Sequence, residues 1–284
     1  MPKYRFRKFE KSQTPLKFII GPKDILILQD LAAYKFLDSK HILALHPEIK
    51  ERSLQSRLHL LFHGGLVERP PSQFTYFQKA AHIVYSLTKK GAELVSQDMG
   101  VSDQVKQPKN MGVSFLQHSL MISNFKTILE LALKENGQSK LSFWSEPKTI
   151  DVIYSGGERL PIAPDAFFTI EDKDYLMHFF LEVDRSTMAL ERMVKKFKGY
   201  WDWRAEGGHK RKLKISNFRV LTVALTEDRK ENIRKIARKA DDNQTGSEMF
   251  WFACEKAYNL ENTGKILDPI WKTSKNENLH HILE

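Results

Sequence analysis

The clearest pattern of apolar and polar positions in this chain lies between Pro161 and Tyr200. Apolar and aromatic residues fill positions 166–170 and again 175–183, and four polar residues, 171–174, separate the two runs. A short polar break between two apolar runs is typical of antiparallel strands joined by a tight turn. We therefore predict a β-hairpin in which Ile170 lies opposite Tyr175 and Asp165 lies opposite Phe180.

Acidic residues stand at the ends of the predicted strands. Because side chains alternate between the two faces of a strand, we expect Asp165, Glu182 and Asp184 on one face of the hairpin. Three carboxylates on one face repel each other, and a bound Mg²⁺ or Mn²⁺ would offset that repulsion. Glu146, in a further strand region over 141–153, is a fourth candidate metal ligand; an exposed glutamate at a strand end is the competing interpretation.

A basic amphipathic helix is predicted to follow the hairpin over residues 187–203, with Ser186 or Thr187 as its N-cap. Its charged positions are Arg192, Lys195, Lys196 and Lys198. These side chains either clamp phosphate groups beside the metal, with one lysine orienting a water molecule, or form a solvated helix face.

A second apolar pattern, between residues 21 and 95, predicts three helices followed by a β-hairpin. Asp24 is expected to cap the first helix, the second covers His41 to Leu45, and the third covers Leu54 to His63. Two strands and a closing helix over 88–95 complete the module. This order is similar to that of winged helix-turn-helix domains, in which the third helix enters the major groove of DNA.

The outward face of the third helix is the predicted DNA-reading surface. The residues expected to approach base edges are Gln55, Ser56, Arg57 and His59. Arg52 and a wing running from Arg69 to Lys79 are expected to contact phosphate. The alternative is that this module mediates dimerisation or binds another protein.

Composition divides the chain into five segments. They are a basic arm (1–20), the helical module (21–96), a polar linker (97–112), a second domain (113–272) and a frayed C-terminal tail (273–284). The second domain is expected to contain a strand over 218–226, a helix over 227–240 and a strand over 249–253, and so to combine helices with strands. A basic, mobile loop over 207–214 is expected to contact the nucleic-acid backbone. Its candidate contacts are His209, Lys210, Arg211 and Lys212.

The charge of the chain narrows the class of partner. A formal net charge of +10 over 284 residues favours an acidic partner, and double-stranded DNA is the partner we expect. The single cysteine, Cys254, cannot form an internal disulfide, which fits a reducing cytoplasm. The basic N-terminus lacks the apolar core of a signal peptide, and no apolar run is long enough to span a membrane, so no membrane association is expected.

Short motifs in the hairpin carry a resemblance to a known family. Pro164-Asp165 and Glu182-Val183-Asp184 resemble the Pro-Asp…(Asp/Glu)-x-Lys signature of a nuclease superfamily. The run 181–187, followed by Lys196 and Tyr200, is similar to the plasmid replication-relaxation family. That resemblance implies an α/β (α+β) chain with an N-terminal winged helix-turn-helix and a restriction-endonuclease-like mixed-sheet domain.

The resemblance also implies roles for individual residues, with one departure from the signature. Asp184 stands where the signature has its catalytic lysine, so either Lys195, Lys196 or Lys198 replaces that lysine or the site is degenerate. The candidate catalytic set is Asp165, Glu182, Asp184 and Lys196.

Three functions remain open at this point. The first is a DNA-binding protein of a plasmid or mobile element that acts in replication initiation, relaxation or its regulation, needs no cofactor and forms either a monomer or a homodimer. The second is a Mg²⁺- or Mn²⁺-dependent DNA endonuclease or nickase that uses Asp165 and Glu182. The third is a relaxase with Tyr200 as nucleophile, against which stands the absence of a His-x-His pair in the sequence.

Overall fold

The computed structural model describes residues 9–14, 16–73, 83–99, 112–173, 175–241 and 243–284. The chain divides into two compact units, residues 1–127 and 128–284. Of the predicted basic arm, residues 9–14 and 16–20 are described. The distal part of the predicted wing, 74–79, and most of the predicted linker, 100–111, lie outside the described residues.

The first unit contains short helices and a small sheet. Its elements are α1 (Pro22–Tyr34), β1 (Leu37–Asp38), α2 (Ser39–Leu45), α3 (Glu51–His63), β2 (Val67–Glu68), β3 (Val84–Leu87), α4 (Lys89–Met99) and the first half of α5 (Val113–Asn136). The three strands form an antiparallel sheet in the order β1-β3-β2. The three predicted helices and the two predicted strands are therefore present, and β1 is an additional strand that two residues were too few to predict.

The apolar faces of these helices meet in one core. Leu54, Leu58 and Leu61 repeat at helical spacing on α3 and are buried against residues of α1 and β3. We predicted Asp24 as the N-cap of α1, but Gly21 holds that position. The Asp24 carboxylate accepts the Gly21 N–H at 2.7 Å. Asp24 is fully buried, and the guanidinium of Arg57 on α3 compensates its charge.

The second unit is built around a large mixed sheet. Its remaining elements are β4 (Ser139–Ser145), β5 (Asp151–Ser155), β6 (Glu158–Ile162), β7 (Ala166–Asp172), β8 (Tyr175–Asp184), α6 (Leu190–Ala205), α7 (Gly208–Leu213), β9 (Arg219–Ala224), α8 (Glu227–Ala237), β10 (Phe250–Cys254), β11 (Trp271–Thr273) and β12 (Leu279–His280). The seven-stranded sheet has the order β12-β11-β10-β9-β8-β7-β4, and β5 pairs with β6 in a separate hairpin. Pairs β8–β9 and β9–β10 are parallel and the others are antiparallel, which confirms the predicted mixed sheet.

One face of the large sheet is covered by α6 and the β5–β6 hairpin. Met193, Phe197, Tyr200 and Trp203 are buried on α6 in one core cluster, and Tyr200 and Trp203 pack with Phe180 of β8. Their spacing of three or four residues gives the helix one continuous apolar face. Gly199 faces β6, where a Cβ would lie 3.6 Å from side-chain atoms of Leu160 and Ile162, so the helix and the hairpin approach closely.

The β7–β8 hairpin exists, but its predicted register is wrong. Asp172 pairs with Tyr175, and Ile170 pairs with Met177 rather than Tyr175. The strands continue into residues that we assigned to the turn because their polar side chains concealed the extension. Since Ala166 pairs with Leu181, Asp165 lies beside Glu182 rather than opposite Phe180.

Three further boundaries differ from prediction. The basic segment 207–214 is not a loop but contains helix α7. The residues on either side of this helix, Gly207 and Lys214, have left-handed backbone conformations, with φ of 70° and 59°. Helix α6 is capped by Ala189 rather than Ser186 or Thr187. The tail 273–284 is not frayed, because β11 and β12 extend the sheet and Ile282 is fully buried.

No helix in the described part of the chain has the length and apolar character needed to cross a membrane.

Candidate functional site

The two acidic residues at the end of β8 lie on the face of the sheet that α6 covers. Glu182 and Asp184 are two residues apart and therefore point the same way, as does Phe180 in the core beneath α6. Both are buried, with exposed fractions of 2% and 3%. Buried carboxylates are stable only when they are hydrogen-bonded or paired, so their partners define what the site can do.

Asp165 joins Glu182 from the neighbouring strand. The Asp165 N–H donates to the Leu181 carbonyl at 3.0 Å, and its own Oδ2 accepts the Val183 N–H at 2.7 Å. These bonds lock Asp165 against β8. Its charge is close enough to Glu182 to contribute to the raised pKa of that carboxyl.

Glu182 is held by two residues of α6. Lys196 Nζ binds Glu182 Oε2 in a short contact, and the Tyr200 hydroxyl donates to Oε1 at 2.6 Å. Lys196 and Tyr200 are four residues apart, which places them on one face of the helix. Of the three lysines that were candidates to replace the missing strand lysine, the structure brings Lys196 to the carboxylates.

Burial dominates the electrostatics of this cluster. It raises the pKa of Glu182 to about 7, although Lys196 lowers that pKa, while Asp165 raises it further. Burial lowers the pKa of Lys196, and the carboxylates of Glu182 and Asp165 more than compensate, so that this pKa lies above its ordinary value. Burial and the Glu182 charge raise the pKa of Tyr200 well above its usual range. Near neutral pH the cluster therefore contains a carboxyl that can take up or release a proton.

Asp184 is engaged by a residue that the sequence did not suggest. Arg229, on the first turn of α8, donates from Nε to Oδ1 at 2.7 Å and from Nη2 to Oδ2 at 3.0 Å. The Ser186 N–H also donates to Oδ1, at 2.8 Å, and the second Arg229 nitrogen binds the Met188 carbonyl. A bidentate guanidinium–carboxylate pair is strong and directional, so Asp184 ties β8 to α8 and to the segment before α6.

Glu146, the fourth predicted ligand, does not join the other carboxylates. Ser145 pairs with Phe167, so position 146 falls opposite Ala166, one residue out of phase with Asp165. The Glu146 carboxylate accepts the Trp144 indole N–H at 3.3 Å.

A divalent cation has a partial fit to these residues. Asp165 and Glu182 are adjacent, and Mg²⁺ is commonly bound by one or two carboxylates together with water and substrate phosphates. Asp184 is already bound by Arg229. Within the described ranges, no three histidine, cysteine or acidic side chains converge as a metal-binding group. If a cation binds, Asp165 and Glu182 would hold it, and Lys196 would have to share Glu182 with it.

The remaining residues of α6 have separate partners. Lys195 pairs with Glu158 at 2.8 Å and Lys198 with Asp202 at 3.3 Å, both in partly exposed positions. Tyr200, the candidate nucleophile, is buried, and its hydroxyl already donates to Glu182. A hydroxyl whose pKa is raised well above its usual range is a poor nucleophile near neutral pH.

The four residues of α7 that were predicted to contact the nucleic-acid backbone divide into two groups. Lys210, Arg211 and Lys212 are exposed, and Lys212 lies 3.5 Å from Asp151. His209 is instead a core residue with an exposed fraction of 3%, whose Nε2 lies 3.2 Å from the Ser216 carbonyl. The prediction of a DNA contact for His209 is therefore corrected, because its ring packs against Trp203 and Phe218.

The predicted reading face of α3 is largely exposed. Arg52, Gln55, Ser56 and His59 are exposed. Arg57 differs, because its guanidinium binds both oxygens of the buried Asp24 carboxylate and helps to join α3 to α1. Arg69 is partly buried, with its guanidinium 4.1 Å from the centroid of the Phe62 ring, and this burial lowers its pKa.

Sequence reasoning missed Arg229, although a signal was present. Strands β8 and β9 are parallel, with Asp184 opposite Ala224, so both carboxyl ends meet at one edge of the sheet. The helix that begins just after β9 therefore starts beside Asp184. A parallel assignment of the two strands would have placed Arg229 there.

Comparison with known proteins identifies the family. The chain is a mixed α/β protein with a large mixed sheet and a buried acidic–basic cluster at the end of β8, an interior strand of that sheet. It matches the model of the Replication-relaxation family over residues 28–217, which is more than half of its length. It therefore belongs to that family, as the residues around Glu182 had indicated.

Two other comparisons add little. The structure of the restriction endonuclease FokI is similar with a TM-score of 0.29 and 11% sequence identity, over 86% of this chain and 43% of that chain. This chain thus spans less than half the length of that protein. No curated protein matches the sequence.

Proposed function

We propose that this chain is a DNA-binding protein that acts in replication of a plasmid or another mobile element, with a winged helix that selects the DNA and a degenerate nuclease-like domain. The observation that carries the proposal is the Asp184–Arg229 pair. Asp184 occupies the position of the catalytic lysine in the nuclease signature, and both of its oxygens are bound by Arg229. The position therefore has a structural role in place of a catalytic one.

Features of the first unit support the DNA-binding part of the proposal. The helices α1 to α3 and the strands β2 and β3 follow one another in the order that winged helices have. Arg52, Gln55, Ser56 and His59 of α3 are exposed. A net charge of +10 favours binding to a polyanion.

Fluorescence anisotropy of a labelled DNA duplex in the presence of a chelator tests this proposal. We expect cation-independent binding that weakens steeply with salt, because phosphate contacts release counterions. Arg52→Gln combined with Gln55→Ala should weaken binding about tenfold, whereas Lys23→Gln, which removes a charge from α1, should change it less than twofold. Equal effects of the two variants would argue against α3 as the reading helix, and absence of binding by the unaltered chain would refute the proposal.

A second function, a metal-dependent DNA endonuclease, is favoured by a different observation. Lys196 lies at Glu182 and is influenced by Asp165, so a lysine is present beside the two carboxylates although β8 lacks one. In that function Asp165 and Glu182 would hold the cation, whose chemistry there would be that of a Lewis acid toward a phosphate and a bound water. Lys196 would be the residue that orients the attacking water.

Calorimetric titration with Mn²⁺ distinguishes the two functions at the level of the site. The endonuclease requires binding that is lost in Asp165→Asn and retained in Glu146→Gln. If the site is degenerate, the heat of Mn²⁺ binding should be equally weak for the unaltered chain and for both variants.

A further inference from the structure

A cavity beside the carboxylate cluster has basic walls. It lies between β6 and the start of α6, with a volume of about 280 Å³. Four cationic side chains line it, Arg159, Arg192, Lys195 and Lys196, together with Leu160, Pro161, Ala163 and Met188. No acidic residue is among its lining residues.

The charges in this cavity are only partly neutralised by the protein. Lys196 is paired with Glu182. Lys195 pairs with Glu158 at 2.8 Å, and the side chains of Lys195 and Glu158 are each more than half exposed. Arg159 and Arg192 are exposed, and the guanidinium group of neither forms an ion pair or hydrogen bond with any residue that the structure describes. Exposed ion pairs such as Lys195–Glu158 are weak and yield readily to a competing anion.

The shape of the cavity limits the anion that it accepts. Arg159 belongs to β6 and Arg192 to α6, so each of two elements that line the cavity contributes an arginine. A guanidinium group can bind an oxyanion through paired N–H groups. Leu160, Pro161 and Met188 provide apolar surface beside them. No aromatic side chain lines the cavity, so it lacks the stacking surface that unpaired bases require.

We propose that this cavity binds a phosphodiester group of duplex DNA, with Arg159 and Arg192 on its oxygens and Lys195 exchanging its bond to Glu158 for the phosphate. The inference rests on the proposed DNA-binding function and adds to it a backbone contact in the second unit. The same position would set one strand of the DNA next to Lys196 and Glu182.

Duplex binding by the full chain tests this proposal with two matched charge deletions. Arg159→Gln with Arg192→Gln is compared with Lys235→Gln with Lys239→Gln, which removes two exposed charges at the end of α8 and just beyond it. We expect the arginine variant to bind about tenfold more weakly and to reduce the slope of log Kd against log salt concentration by about 2. The lysine control should change Kd less than threefold, and Arg159→Lys with Arg192→Lys should recover most of the loss.

The contrary outcomes are distinct. If the unaltered chain binds duplex DNA and the arginine variant binds equally well, or if both deletions weaken binding alike, the cavity is not a phosphate site. If the unaltered chain does not bind DNA, the proposed function fails. Thermal unfolding with inorganic pyrophosphate then tests whether the cavity is an anion-binding site. A rise in Tm that Arg159→Gln with Arg192→Gln abolishes would preserve the anion site, and no rise would overturn it.

Discussion

Glu182 and Asp184 lie two residues apart on one strand, are equally buried and point to the same face, yet they are bound in different ways. Asp184 is bound by a guanidinium fork that occupies both oxygens. Glu182 is bound by a lysine and a tyrosine from one helix, beside a second carboxylate. The comparison shows that one carboxylate joins elements of the fold, whereas the other retains a proton equilibrium near neutral pH.

The largest effect should follow from breaking the Asp184–Arg229 pair. Asp184→Ala leaves a guanidinium with an exposed fraction of only 15% without its carboxylate, so we expect a loss of about 3 to 5 kcal/mol in the free energy of unfolding. Urea denaturation measures this loss. Asp184→Leu combined with Arg229→Met removes both charges and should cost clearly less; a single variant that loses under 1 kcal/mol would contradict the structural role of the pair.

Glu182→Gln should change how stability depends on pH. Since the pKa of Glu182 rises from 4.5 in the unfolded chain to about 7 in the folded one, its contribution is fully present below 4.5 and is lost as the pH rises through 7. Glutamine does not titrate, so the variant should gain stability relative to the unaltered protein by about 2 to 3 kcal/mol between pH 5 and pH 8. Urea denaturation across this range measures the difference, and a difference that stays constant with pH would disprove the raised pKa.

Tyr200→Phe sharpens the same comparison. It removes the hydroxyl that donates to Glu182 Oε1, so we expect a loss of about 1 to 2 kcal/mol at pH 8, where the carboxylate is charged. The loss should be smaller at pH 5. Equal losses at both pH values would mean that the hydroxyl contributes through packing rather than through its bond to the carboxylate.

The smallest effect is expected at the surface pair Glu158–Lys195. Both side chains are more than half exposed, and such pairs contribute little to stability. Glu158→Gln should therefore lower the free energy of unfolding by less than about 0.5 kcal/mol. The same substitution should strengthen binding of a DNA duplex if Lys195 contacts phosphate, and weakened binding would count against the cavity as a phosphate site.

The sequence predicted the elements around this site better than their connections. Alternation and helical spacing identified the β7–β8 hairpin, α6 and the shared face of Asp165, Glu182 and Asp184. The register was wrong by two residues because polar residues continue the strands into the turn. In the sequence, Lys196 differs from the neighbouring lysines only in standing four residues before Tyr200. That spacing could identify Lys196 as the partner of Glu182 only once Glu182 was known to lie beneath the helix.

Contacts between distant segments and very short strands were the least predictable features. Arg229 lies 45 residues from Asp184, so no local pattern connects them. Strands β11 and β12 contain three and two residues, too few to show a period, which is why the C-terminal segment was predicted to be frayed. His209 lies in a basic run, and only its packing against Trp203 and Phe218 reveals that it is buried.

Incubation of the full chain with supercoiled plasmid tests the central claim most directly, with Mg²⁺, with Mn²⁺ and with chelator, beside Asp165→Ala. A DNA-binding protein with a degenerate nuclease-like domain predicts intact plasmid that migrates more slowly in every lane, for the unaltered chain and the variant alike. Nicked or linear plasmid that appears only with metal and is absent with Asp165→Ala would contradict the account and establish a nuclease.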